Sequence, residues 1–125
     1  MSAENRHNLK KLSKVALDRR NADQGDFFFG KIMLQGNLCS RPVFVVGKHG
    51  DSNDTKDVII CIGTTQPQKS DYDIPVQLRE KTYIRTNKIY TIGRHQLEFK
   101  IKHSVNPVDI HTICENVEKA IRFRQ

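Results

Sequence analysis

Arg41, Thr64 and Thr65 are the side chains whose type and setting could do chemistry. Arg41 stands directly before Pro42 and the apolar run Val43-Phe44-Val45-Val46, and the two threonines close the run Ile59-Ile60-Cys61-Ile62-Gly63. Proline donates no ladder hydrogen bond, so a sheet tolerates it at a strand's first residue or on an edge. Its ring also drives the preceding residue into an extended backbone. The sequence therefore predicts a guanidinium held stiffly at one strand's entrance and two hydroxyls where a neighbouring strand ends. Where such ends meet, the arginine fork and the hydroxyl donors form a cradle suited to a phosphate. Spacing alone equally allows a surface charge and two ordinary β-forming threonines.

The surrounding chain bounds what such a cradle could serve. Its 125 residues make one domain with room for a core. The formal charge of +7 points to a polyanionic partner. That charge is concentrated: residues 1–24 hold six Lys/Arg against three Asp/Glu, and residues 79–102 hold seven against Glu80 and Glu98. Cys39, Cys61 and Cys114 are odd in number and far apart, with no short Cys/His ligand spacing, so they read as reduced thiols and not as a zinc site. No apolar run is long enough for a bilayer and no signal-peptide pattern opens the chain, so a soluble, cytoplasmic protein is expected.

The elements that must position the candidate residues follow from periodicity. Leu9, Leu12, Val15 and Ala16 recur at helical spacing among basic residues, so the arm 1–24 is helical over 5–20 or a disordered basic tail. Residues 21–26 read as a turn-rich linker. From Phe27 the pattern becomes β, with strands expected at 27–33, 42–48, 57–65, 73–78, 82–87, 88–92 and 97–102. The loop 49–56 reads as polar and mobile. Asn106-Pro107 then supplies a helix cap and first residue, and Ile110, Ile113, Cys114, Val117 and Ile121 form one apolar stripe, which predicts a helix over 107–123. Short strands with frequent turns, covered by a helix, give a mainly β domain over 25–125, a small barrel.

In that order the pieces resemble the MazF/PemK family, the mRNA interferases of toxin–antitoxin modules. The resemblance rests on Gly25-Asp26-Phe27, on Arg41-Pro42 before the valines, and on Thr64-Thr65-Gln66 after an apolar strand. Arg85-Thr86-Asn87-Lys88 before Thr91-Ile92 and the C-terminal helix complete it, over about residues 25–123. It implies a small SH3-like antiparallel barrel, paired as a homodimeric endoribonuclease that cleaves single-stranded RNA without a metal or other cofactor and is neutralised by an acidic antitoxin. The ribose 2′-hydroxyl attacks the adjacent phosphate, so a fixed cation and donors must meet the charge growing on the non-bridging oxygens.

By the resemblance, Arg41 stabilises that charge, Thr64 donates to the phosphate, and Arg85 belongs to the active site. Thr65, Gln66, Asn87, Lys88 and Arg94 are then expected along the RNA, with Tyr83 and Tyr90 interleaved among the cations. The pattern is broken at Asn87, where some members carry an aspartate as general base, and the base is unassigned. Asp71, Asp73, His49 and His95 are the substitutes the chain offers. That missing acid supports an alternative, a catalytically inactive MazF-like module that binds RNA or a partner. A gyrase-poisoning toxin of similar barrel would resemble its relatives in a C-terminal Trp-Gly-Ile, and this chain has no tryptophan.

Overall fold

The alternation of phenylalanine and β-branched residues from Phe27 onward produces six antiparallel strands. They are β1 (Phe27–Leu34), β2 (Asn37–Val45), β3 (Asp57–Thr64), β4 (Asp73–Gln77), β5 (Lys81–Gly93) and β6 (Leu97–Lys100). Two helices flank them, α1 (Lys14–Arg20) and α2 (Pro107–Ile121), and a short 3-10 turn, Arg94–Gln96, links β5 to β6. The computed structural model describes residues 13–50 and 55–124. The first half of the arm segment expected to be helical, residues 5–12, and positions 51–54 of the loop lie outside the described residues.

The β1–β2 hairpin turns on Gln35 and Gly36, both at positive φ (50° and 80°), which matches the twist of a two-residue hairpin. This turn sets Phe27 against Phe44 and Gly30 against Arg41. As a result β2 begins at Asn37, and Arg41 lies inside a strand, not at its entrance as Pro42 suggested. Toward β1 the pairing runs through Pro42, but toward β3 it starts only at Val43. Pro42 thus marks where β2 acquires its second neighbour, a position that accommodates its missing donor.

The strands hydrogen-bond in the order β4-β5-β3-β2-β1-β6, so the expected barrel is not closed: β4 and β6 are edges. Pro75 sits within edge strand β4, opposite Tyr83. The two expected strands 82–87 and 88–92 are one continuous β5, bent by an irregularity. There a step of two residues on β3, Cys61 to Gly63, is matched by five on β5, Ile89 to Ile84.

Both faces of the bent sheet carry a core. Phe28, Ile32, Val43, Val45, Ile60 and Leu97 pack on one side, together with Ala22 from the linker after α1. Phe27, Phe44, Cys61 and Ile84 pack on the other against Ile113 and Val117 of α2. Asn106 caps α2, its Oδ1 accepting from the Val108 N–H at 2.9 Å, and Pro107 opens the first turn. Helix α1 is different. Ser13 caps it and it buries no residue, so polar contacts hold it: Arg19 donates to the carbonyls of Leu97 and Glu98.

Candidate functional site

Strand register brings the first pair of predicted residues together. Val43 of β2 faces Ile62 of β3; two positions further in the same direction along the sheet come Arg41 and Thr64. Side chains alternate along a strand, so both share the face of Val43 and Ile62. Between them Pro42 packs by Gly63. A Cβ on Gly63 would lie 2.8 Å from the Thr82 methyl and 3.2 Å from Pro42 Cγ, so glycine here permits the close approach of β2, β3 and β5.

The two side chains are held differently. Thr64 Oγ1 accepts from the Gln66 N–H at 3.1 Å, which fixes the oxygen and leaves the hydroxyl hydrogen available to a ligand. One guanidinium nitrogen of Arg41 donates to the Ser40 carbonyl at 3.0 Å. Arg41 is exposed and makes no ion pair among the described residues. The adjoining Ser40 hydroxyl is already engaged, donating to Glu98 at 2.6 Å.

β5 adds the next residues. Tyr83 pairs with Thr64 and Arg85 lies two positions on, so alternation sets Lys81, Tyr83 and Arg85 on the Thr64 face. Lys81 stands over the Tyr83 ring at 5.4 Å. Arg85 is half-buried and opposite Asp73 of β4. Beyond it the strand bulges away from β3, anchored by Thr86, whose hydroxyl donates to the Tyr72 carbonyl at 2.6 Å. Asn87 and Lys88 lie in that bulge and are exposed, as are Thr65 and Gln66 just past β3. The ensemble is a cationic, partly aromatic face able to bind a phosphodiester and stack a base.

Arg94 does not join it. It follows the far end of β5, is 4% exposed, and donates through Nη1 to the carbonyls of Arg19, Ala22 and Arg20 at 3.0, 2.9 and 3.4 Å. Its fork closes the C-terminal end of α1, where helix carbonyls lack internal partners, so the expectation that it lies along RNA is corrected by its burial.

Of the substitute bases, the two histidines lie apart, whereas Asp73 stands opposite Arg85. His49 lies past the far end of β2 from Arg41, its backbone N–H on Asp23 and its ring on the Arg20 carbonyl, and His95 lies beyond the end of β5. Asp73 is buried, its carboxylate accepting the Lys69 N–H at 2.9 Å. Asp71 is exposed in the turn before β4. Hydrogen bonds from the His49 and Gln24 amides hold the Asp23 carboxyl below its usual range.

Sequence reasoning missed a concavity beside Thr65. About 300 Å³ in volume, it is lined by Phe29, Pro42, Thr65, Arg79, Glu80 and Thr82 among others. Arg79 lies over the Phe99 ring at 5.9 Å, and Phe99 in turn packs on Phe29 at 5.0 Å. The only sequence signal was the place of Arg79 in the basic block. Two of the three thiols are poor nucleophiles: burial pushes Cys61 from 9.0 up to about 12 and raises Cys114 as well. Among the described residues no three His, Cys, Asp or Glu side chains gather as metal ligands would, and no helix is long and apolar enough to cross a membrane.

No protein-family model matches the sequence, nor does any curated protein. Solved structures match the fold. A mycobacterial endoribonuclease in complex with its cognate antitoxin superposes with a TM-score of 0.66 at 16% identity, over 82% of this chain and 97% of that one. The Mycobacterium tuberculosis toxin MazF-mt6 gives 0.64 at 14%, over 80% and 99%. The MazE–MazF structure from Deinococcus radiodurans gives 0.66 at 10%, over 79% and 94%. This chain has a MazF-like fold.

Proposed function

We propose that the protein is a toxin endoribonuclease that cuts single-stranded RNA by metal-independent attack of the 2′-hydroxyl, giving a 2′,3′-cyclic phosphate and a 5′-hydroxyl. The observation that carries this reading is the shared face and matched position of Arg41 and Thr64 on adjacent strands of a MazF-like fold. Arg41 would lie against the non-bridging oxygens as negative charge grows there, with Thr64 donating from the side and Arg85 as the second cation. Thr65, Gln66, Asn87 and Lys88 line the path of the strand. Both an acceptor of the 2′-proton and a donor to the departing 5′-oxygen are needed, and Asp73, opposite Arg85, is the carboxylate nearest this face's second cation.

Exposed apolar side chains away from the Arg41 face bear on partners. Met33 and Leu38 face each other across the β1–β2 hairpin at 61% and 60% exposure, and Phe123 after α2 is 88% exposed. Apolar side chains so exposed favour pairing of two copies, which supports a homodimer. An acidic antitoxin segment laid over the cationic face would occupy it in place of RNA, as expected for a cytoplasmic toxin–antitoxin pair.

The test is incubation of the protein with single-stranded RNA in EDTA, followed by analysis of the ends. Cyclic-phosphate termini are expected, and Arg41→Ala should slow cutting by about 10²–10³-fold, the usual cost of one oxyanion donor. Cutting by Arg41→Ala at the parent rate would remove the site. Binding without cutting by the parent would instead favour an inactive RNA-binding module, for which the Asn87 position is the motivating observation.

A further inference from the structure

We propose that the open seam between the β4–β5 hairpin and the segment after β6 is a second phosphate track, which takes RNA flanking the scissile bond round the Thr65 end of β3, from the candidate face to the opposite one, and on to α1. The inference rests on the nuclease reading above and extends its substrate from a short site to a longer single strand.

Three adjoining depressions trace the path. The concavity beside Thr65 reaches Leu78 and Ile101. The next shares Leu78 and is bounded by Lys102 and His103, and the third shares Lys102 and His103 and ends on Lys14 of α1. They follow the line where the sheet fails to close, so strands β4 and β6 face each other there without pairing. Only Arg79 spans the gap among the described cation–ring contacts, lying over Phe99 of β6.

The chemistry of the lining favours a polyanion with bases. Arg79, Lys102 and Lys14 come from a turn, a strand extension and a helix, so their convergence is not a property of one element. Among the described residues neither Lys102 nor Lys14 makes an ion pair, whereas Lys100 is engaged by Asp26 at 3.5 Å. Glu80 and Asp18 are the acids on the path, one near each end, and the middle is cationic. Phe99, 37% exposed with Arg79 above it, offers a platform on which a base stacks with little sequence preference. The docking of α1 through Arg19 and Arg94 places Lys14 at the end of the seam; without it the track would stop at Lys102.

The test uses the full chain and 2′-O-methyl RNA, which binds without being cut, in lengths of about 5 and about 16 nucleotides, the range of single-strand site sizes. The parent should bind the longer RNA at least about tenfold more tightly. Lys14→Gln/Lys102→Gln should lose most of that advantage, and its log–log salt slope for the longer RNA should flatten by about 1.4, two contacts at about 0.7 each. Affinity for the shorter RNA should stay at the parent value. Both lysines are exposed, and an unchanged melting curve checks the fold. Equal parent affinity for both lengths, or an unaltered slope in the variant, overturns the track while leaving cleavage of unmodified RNA to stand. An equal loss for both lengths marks a general charge effect and also overturns it. A parent that neither binds nor cuts RNA removes the nuclease reading and the track together.

Discussion

Replacing Arg94 by methionine asks whether its cation serves the fold or a ligand. The guanidinium makes two well-formed bonds from Nη1, to the carbonyls of Arg19 and Ala22, and a longer one to Arg20. A hydrogen bond from a charged donor contributes about 1.5–3 kcal/mol. Against this stands the cost of burying the cation, raised by an Nε that has no hydrogen-bond partner among the described residues. Methionine keeps most of the stem's packing, so the net loss should be about 2–3 kcal/mol, a large part of the roughly 5–15 kcal/mol that hold a domain of this size. Urea unfolding should show a lower midpoint at unchanged slope, and the melting temperature should fall by about 10 °C. RNA binding, measured where both proteins are folded, should hardly change at the short site. An unchanged midpoint combined with weakened binding to the short RNA would refute the structural role and return Arg94 to the RNA path.

Gly63→Ala should destabilise by about 1–3 kcal/mol, the usual cost of overpacking, because the new methyl meets Thr82 and Pro42; it should also lower RNA cleavage by displacing Thr64 from Arg41. A variant as stable and active as the parent would show that the three strands have slack there. Burial raises the Cys61 thiol from 9.0 to about 12, so the folded state holds this proton more tightly than the unfolded chain. The resulting stability is complete below about pH 9 and declines as pH rises toward 12. Cys61→Ala should therefore flatten the alkaline limb of urea midpoints, and thiol reagents should label half-exposed Cys39 before Cys61; prompt labelling of Cys61 in the native protein would contradict its burial.

What the sequence made legible was local. Asn106-Pro107 and the stripe from Ile110 to Ile121 specified α2 because cap and periodicity lie in one contiguous run. The Arg41-Pro42 and Thr64-Thr65 pieces marked two strands correctly, but a proline reads the same at a strand's start as at the point where a second neighbour arrives. The bulge at Arg85–Lys88 interrupts the alternation that would have joined two expected strands into β5. Arg94 was misplaced for a different reason. Its surroundings in the chain are basic and β-like, while its burial is decided by carbonyls of residues 19, 20 and 22 that only the folded topology delivers. Closure of the sheet likewise depends on how far β4 and β6 curl toward each other, and no short pattern encodes that.

An unclosed sheet also leaves two ribbons of unsatisfied amides and carbonyls, on which strands from other molecules could stack into fibres. This molecule blunts both. On β4, Pro75 interrupts the row of donors at mid-strand; β6 is four residues long and ends in a lysine. The devices that guard these edges thus sit on residues that an argument about catalysis would pass over.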